Sequence, residues 1–141
     1  MNLYLDTSLL VAGITREPKT DRVLEWLDYR TADELVISDW VVTEVSAALS
    51  SKLRMGQITA TERTKSLAVF ARLCAASLNF LPITGLHFRT AARFADRYSL
   101  GIRASDALHL ALCSDYGAAL CTLDIRLGSA GPALGVRTVS P

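Results

Sequence analysis

The stretch Ala118-Ala119-Leu120-Cys121-Thr122 limits the possible folds of this chain more than any other. It is apolar throughout, the pattern of a strand covered on both faces, and such strands belong to parallel sheets packed between helices. Leu3-Tyr4-Leu5 and Leu35-Val36-Ile37 read as strands of the same kind. Phe80-Leu81-Pro82-Ile83 reads as another, its proline favouring the strand's end, and Val136-Arg137-Thr138-Val139 is a weaker fifth. Helical patterns fill the intervals. One starts near Ser8 and is interrupted around Pro18; a second, Asp21 to Tyr29, carries Val23, Leu24 and Leu27 on one face. Ser38 caps a helix from Asp39 to about Met55, ended by Gly56. Thr59 or Thr61 opens the next, which runs to about Ser77 with Leu67, Phe70, Ala71 and Cys74 as its buried stripe. Two more span Gly85 to Tyr98 and Ser105 to Tyr116. Strands alternating with helices predict an α/β fold, a parallel five-stranded sheet flanked by helices.

At 141 residues the chain suits one domain covering residues 1–141. Half of it is hydrophobic and 21% charged, enough for a sizeable core and contrary to intrinsic disorder. A net charge of +1 argues against a protein that coats nucleic acid through one large basic surface, while leaving room for a local basic rim. Asp6 interrupts the N-terminus before any long apolar region, so no secretory signal is evident. No run approaches the roughly 20 apolar residues that span a bilayer. Cys74, Cys113 and Cys121 are odd in number, form no C-x-x-C pair, and with His87 and His109 lack zinc-ligand spacing. They read as reduced thiols of a cytoplasmic protein.

The acids carry the functional information. Asp6 ends the first strand, Glu44 lies about two turns into the helix after the second, Asp106 falls in the first turn of the helix before the fourth, and Asp124 lies two residues beyond Thr122. In open parallel sheets, ligand sites form at the carboxyl ends of the strands, near the point where strand order reverses. Asp6, Asp106 and Asp124 each have a second explanation, as caps or favourable charges at helix N-termini. Glu44 is different. It sits at the edge of an apolar face formed by Val41, Val42, Val45, Ala48 and Leu49, with no neighbouring Lys or Arg to pair with. A carboxylate in that position is costly without a cation, a donor or a metal. Carboxylates that converge without cations repel one another, and a divalent ion reverses that cost. Mg²⁺ and Mn²⁺ prefer oxygen ligands and bind phosphate oxygens, so acid-only ligation points to metal-assisted phosphodiester hydrolysis, provided that the acids converge.

Asp6-Thr7-Ser8 after an N-terminal strand, Thr43-Glu44 in a helix, Ser105-Asp106-Ala107-Leu108-His109-Leu110-Ala111 opening another, and Thr122-Leu123-Asp124 together resemble the PIN-domain family, in order and over essentially the whole chain. The resemblance implies a Mg²⁺- or Mn²⁺-dependent endoribonuclease with Asp6, Glu44, Asp106 and Asp124 as metal-binding and catalytic acids, and Ser8 and Thr122 as supporting hydroxyls. A stand-alone domain of this length is similar to the VapC-type toxins. That likeness implies a VapB-like antitoxin as partner, an RNA substrate, a homodimer and no membrane association. Some family members carry a further acid just beyond the fourth; Ile125-Arg126 stands there in this chain. The expectation is one well-occupied metal in the free protein, with a second arriving with substrate.

Arg103 and Arg126 flank the acids and are candidate phosphate contacts, or else solvated surface residues. His109, one turn from Asp106, reads as a packed residue rather than a proton carrier, and Trp26 and Trp40 read as core or interface rather than base-stacking platforms. Phosphatases of the haloacid-dehalogenase type need an aspartate where Ser8 stands, and dinucleotide and P-loop fingerprints are absent. The remaining rival is a non-catalytic metal-binding module that acts through protein partners.

Overall fold

The computed structural model describes Met1–Pro141. Its five strands, β1 (Leu3–Leu5), β2 (Leu35–Ile37), β3 (Asn79–Phe80), β4 (Ala119–Cys121) and β5 (Thr138–Val139), form one parallel sheet in the order β3-β2-β1-β4-β5. Seven helices accompany it: α1 (Thr7–Ile14), α2 (Thr20–Asp28), α3 (Asp39–Arg54), α4 (Ala60–Ala76), α5 (Gly85–Asp96), α6 (Ala104–Tyr116) and α7 (Ile125–Ala133). The expected α/β fold is the one observed.

Burial follows the strand order. Every residue of the central strands β1, β2 and β4 is buried, whereas the edge strands β3 and β5 are exposed or partly so. Apolar runs therefore mark the middle of the sheet, and weakly apolar ones its edges. Tyr4, Leu5, Leu9, Ile37, Leu110 and Leu120 are among the largest fully buried side chains. In α6, all seven residues from Ala107 to Cys113 are buried, as in a helix surrounded by protein. Helix α5 packs along α6, while α1 packs against α2, α3 and α4.

Several local expectations shift. Strand β3 is Asn79–Phe80, not Phe80 to Ile83: Leu81 N still donates to Ile37 O at 2.8 Å, but Pro82 has no N–H with which to continue the ladder. Helix α5 stops at Asp96, and a 3-10 turn, Tyr98–Leu100, leads to Gly101 in the left-handed region at φ 64°. Leu24 is exposed, leaving Val23 as the buried residue of its face. In α4 the buried stripe contains Ser66 and Phe70 rather than Ala71, because Ser66 Oγ donates to Ile14 O at 2.6 Å and ties α4 to the end of α1. No helix is long and apolar enough to cross a membrane.

Candidate active site

β1 and β4 lie side by side where the strand order turns back, and their carboxyl ends define the crevice in which such sheets bind ligands. Asp6 N donates to Cys121 O at 3.1 Å, so Asp6 and Thr122 leave the sheet together. Asp6 caps α1: its backbone is extended and its Oδ1 accepts Leu9 N at 3.1 Å. Oδ1 also accepts from Ser8 Oγ at 2.7 Å, and Oδ2 accepts from Thr122 Oγ1 at 2.5 Å. The hydroxyls are themselves held, Thr122 Oγ1 by Asp124 N at 3.0 Å and Ser8 Oγ by Leu123 N at 3.1 Å.

Asp6 is 4% exposed, and no Lys or Arg pairs with it. Burial pushes its carboxyl above the usual carboxylate range, outweighing the hydrogen bonds from Thr122, Ser8 and Leu9 N. The fold thus keeps a carboxylate in an interior that disfavours its charge, a cost that a bound cation would relieve.

Asp124 caps α7, its Oδ1 accepting Leu127 N at 3.1 Å. Asp106 is the third residue of α6, and its Oδ2 accepts Arg103 N at 3.1 Å. Capping is therefore real at all three aspartates, yet it does not exclude ligation. Asp124 and Asp106 each commit one oxygen to the cap and leave the other without a hydrogen-bond partner. Both line one cavity of about 570 Å³ together with Arg103, Arg126, Leu123 and Ile125.

Glu44 reaches the site from α3. Its Oε1 accepts from Thr7 Oγ1 at 2.9 Å and pairs with His109 Nε2 at 2.5 Å, while Oε2 takes no hydrogen bond. Burial of the half-buried carboxyl works upward, but the hydrogen bond and charge of His109, with the Thr7 and Ser105 hydroxyls, outweigh it and hold Glu44 below its usual range. Glu44 and Asp6 thus have opposite surroundings, one with an imidazole partner and one without a cation.

No three of the chain's carboxylate, imidazole or thiol groups stand close enough together to hold a metal ion as they lie. The convergence of all four acids expected from the sequence is therefore not seen: Glu44 is joined to the Asp6 end of α1 through Thr7, and Asp106 shares a cavity with Asp124. The donor set nevertheless suits a hard divalent ion. Its donors are carboxylate oxygens: Asp106, Asp124 and Glu44 are exposed or partly buried, each with one oxygen free of protein hydrogen bonds, and Asp6 is buried without a cation. An open arrangement of this kind leaves ligand positions for waters and phosphate oxygens.

The PIN domain family matches residues 3–131, almost the whole length of the chain. The chain belongs to the PIN-domain family. Among its relatives is Ribonuclease VapC35 of Mycobacterium tuberculosis, 31% identical over 144 residues that span 99% of this chain and 96% of that protein. Two solved structures share the fold. VapBC2 from Rickettsia felis, bound to a DNA fragment from their promoter, has a TM-score of 0.68 at 16% identity, covering 99% of this chain and 98% of that one. VapC20 of Mycobacterium tuberculosis, a sarcin-ricin loop cleaving toxin, has a TM-score of 0.74 at 15% identity, covering 92% and 95%.

Three features of this PIN domain escaped the sequence reading. His109 is packed, as expected, at 2% exposure, but it is also the polar partner that Glu44 lacked on its own helix. Thr7 joins it on the same oxygen. Lys19 borders two further cavities, of about 610 and 300 Å³, which meet the first at Leu123 and Asp124. Its position follows from the corner between α1 and α2, where Thr20 Oγ1 donates to Ala12 O at 2.7 Å and accepts Glu17 N at 2.8 Å. An unpaired lysine after a proline carries no signal of this placement in sequence.

Proposed function

We propose that this PIN domain is a Mg²⁺- or Mn²⁺-dependent endoribonuclease and the toxin of a type II toxin–antitoxin pair. The observation that carries the reading is Asp6: a carboxylate buried at the crevice of the sheet, given three hydrogen-bond donors and no cation. Its surroundings favour a bound positive ion over an empty site. A relative of nearly equal length, VapC35, is a ribonuclease.

Asp6, Glu44, Asp106 and Asp124 would hold the divalent ion, which would supply a bound water of lowered pKa and stabilise charge on the phosphoryl group under attack. The chain's own residues do the rest. Ser8 and Thr122 fix the Asp6 carboxylate and keep it from rotating away from the crevice. Asp106 and Asp124 offer their free oxygens to the cavity that they share, and Glu44 offers Oε2. Arg103 and Arg126 line the same cavity, where guanidinium groups suit phosphate oxygens. Three cavities share Leu123 and Asp124, one lined also by Asp106 and the two arginines and the other two by Lys19, and together they suit the passage of a nucleic-acid strand past Asp124.

As a VapC-type toxin the protein acts in the cytoplasm and is silenced by a VapB-like antitoxin; VapBC2 is a solved relative of such a pair. A homodimer agrees with the large apolar side chains left on the surface of α5, Leu86 and Phe88.

The test is cleavage of a pool of cellular RNA by purified, antitoxin-free protein in Mg²⁺ or Mn²⁺ against EDTA, beside Asp6→Asn. Discrete products that require both metal and Asp6 are expected. A folded wild-type protein that cleaves nothing in either metal would overturn the enzyme reading in favour of a binding module.

A further inference from the structure

A column of buried polar groups runs from the core to the acidic site. Ser38 Oγ, fully buried at the end of β2, lies 2.7 Å from Tyr4 Oη on β1. Tyr4 Oη lies 2.8 Å from His109 Nδ1 on α6, and His109 Nε2 lies 2.5 Å from Glu44 Oε1 on α3. Tyr4 is fully buried and His109 is 2% exposed, with their rings packed at a centroid distance of 5.4 Å. The imidazole is therefore gripped at both nitrogens by groups from other elements, and neither its ring plane nor its reach is free to vary. The N–H at Nε2 lies against a carboxylate oxygen, which can only accept.

This arrangement is asymmetric at Glu44. Oε1 receives both His109 and Thr7, whereas no hydrogen bond closes on Oε2, the Ser105 hydroxyl being the other donor near this carboxylate. Glu44 is only partly buried, so Oε2 stays within reach of solvent or of a cation while Oε1 is fixed. Here one oxygen is immobilised and the other kept open.

We infer that His109 is a positioning residue of the acidic site: held from the core by Tyr4 and Ser38, it locks Glu44 with Oε2 as the oxygen offered to a divalent ion. The inference rests on the reading of Glu44 as a metal ligand. Groups that orient a metal-bound carboxylate from behind matter nearly as much as the ligands, and their loss typically costs about 10- to 100-fold in metal affinity or activity.

Two amide substitutions separate the bond to Glu44 from the bond to Tyr4. The amide of His109→Gln reaches the position of Nε2 and keeps a donor for Glu44. The amide of His109→Asn reaches only the position of Nδ1, so it keeps Tyr4 and abandons Glu44. The experiment is a titration of metal-free protein with Mn²⁺, read by calorimetry and by the electron paramagnetic resonance of free Mn²⁺, with thermal melts in EDTA to verify folding. The expected result is a dissociation constant within a few-fold of wild type for His109→Gln, and about 10- to 100-fold weaker for His109→Asn. Saturating Mn²⁺ should then restore much of the RNA-cleavage rate of His109→Asn, which a general packing defect would not allow.

Equal Mn²⁺ affinity in wild type and His109→Asn, or tighter binding by the variant, overturns the inference and leaves the site reading intact. A wild type that binds no Mn²⁺ overturns the site reading, and this inference with it. Should His109→Asn fail to fold, Tyr4→Phe carries the test: removing the phenol hydroxyl frees the imidazole to swing, and several-fold weaker Mn²⁺ binding is expected. An unchanged affinity there overturns the proposal.

Discussion

Replacing Asp6 by Asn should abolish cleavage and at the same time stabilise the metal-free protein. Removing the partner of a buried charge typically costs about 3–5 kcal/mol, which serves as the scale for a carboxylate that has no cation to begin with. Asp6 recovers part of this through Ser8, Leu9 N and Thr122. A hydrogen bond to a charged acceptor exceeds a neutral one by roughly 1 kcal/mol, so three of them offset about 3 kcal/mol. In the Asn side chain, the oxygen keeps Ser8 and Leu9 N, and the amide donates to Thr122 Oγ1, whose hydroxyl turns to accept it. The remainder, about 1 kcal/mol, favours Asn and raises the melting temperature by roughly 3 °C for a domain of this size.

The effect depends on pH with a definite sign. The folded-state value of Asp6 is raised, so between the ordinary value of 3.8 and that higher one the native state binds more protons than the unfolded chain. Wild-type stability in EDTA is therefore fully supported by this group below 3.8 and declines as pH rises through the folded value. The Asn variant lacks this component, so the difference between the two melting curves isolates it from the other carboxylates. Added Mg²⁺ should raise the wild-type melting temperature more than the variant's, because binding to the native state alone is stabilising. Circular-dichroism melts across pH 3–8, with EDTA or Mg²⁺, make the measurement. An Asn variant that melts below wild type in EDTA at neutral pH refutes the reasoning, since Asp6 would then stabilise the fold through its charge.

Other expectations concern parts of the molecule away from that carboxylate. Lys19→Ala and Arg126→Ala, each in the cleavage-deficient Asp6→Asn background, should reduce the salt dependence of single-stranded RNA binding by a slope of about 0.7, as read by fluorescence anisotropy; an unchanged slope for Lys19→Ala removes it from the strand's path. Cys113 and Cys121 should resist alkylation of the native protein at pH 8 while Cys74 labels first, because burial pushes both core thiols far up, Cys121 to about 12; rapid labelling of Cys113 in a mass spectrum would contradict the packing of α6. Gly131→Ala should cost about 1–3 kcal/mol in urea unfolding, because its methyl group would collide with Thr138 Cγ2 and sit 3.0 Å from Val136 O, wedging α7 off β5; a neutral result means that this corner can relax.

Much of the architecture was legible in the order of residues because the responsible forces act over short spans of chain. Apolar runs of three residues mark strands β1 and β2, and Pro82 marks the region where β3 ends. Capping aspartates precede α1 and α7, whereas Ser38, at the start of α3, makes no side-chain cap bond and turns its hydroxyl to Tyr4 instead. The same local chemistry made three of the four acids visible, since an aspartate at a strand end before a helix is both a cap and an edge-of-sheet group. It also concealed the difference between these two roles, which lies in the second oxygen of each carboxylate. Tertiary structure alone decided that difference. Thr122 meets Asp6 across 116 residues of chain and His109 meets Glu44 across 65. These contacts exist because the sheet order sets β4 against β1 and places α6 beside α3. Hydrophobic periodicity tells which face of an element is buried, but not which neighbour will cover it. The partner of Glu44, the isolation of Asp6 and the place of Lys19 beside the acids all depend on that choice of neighbour.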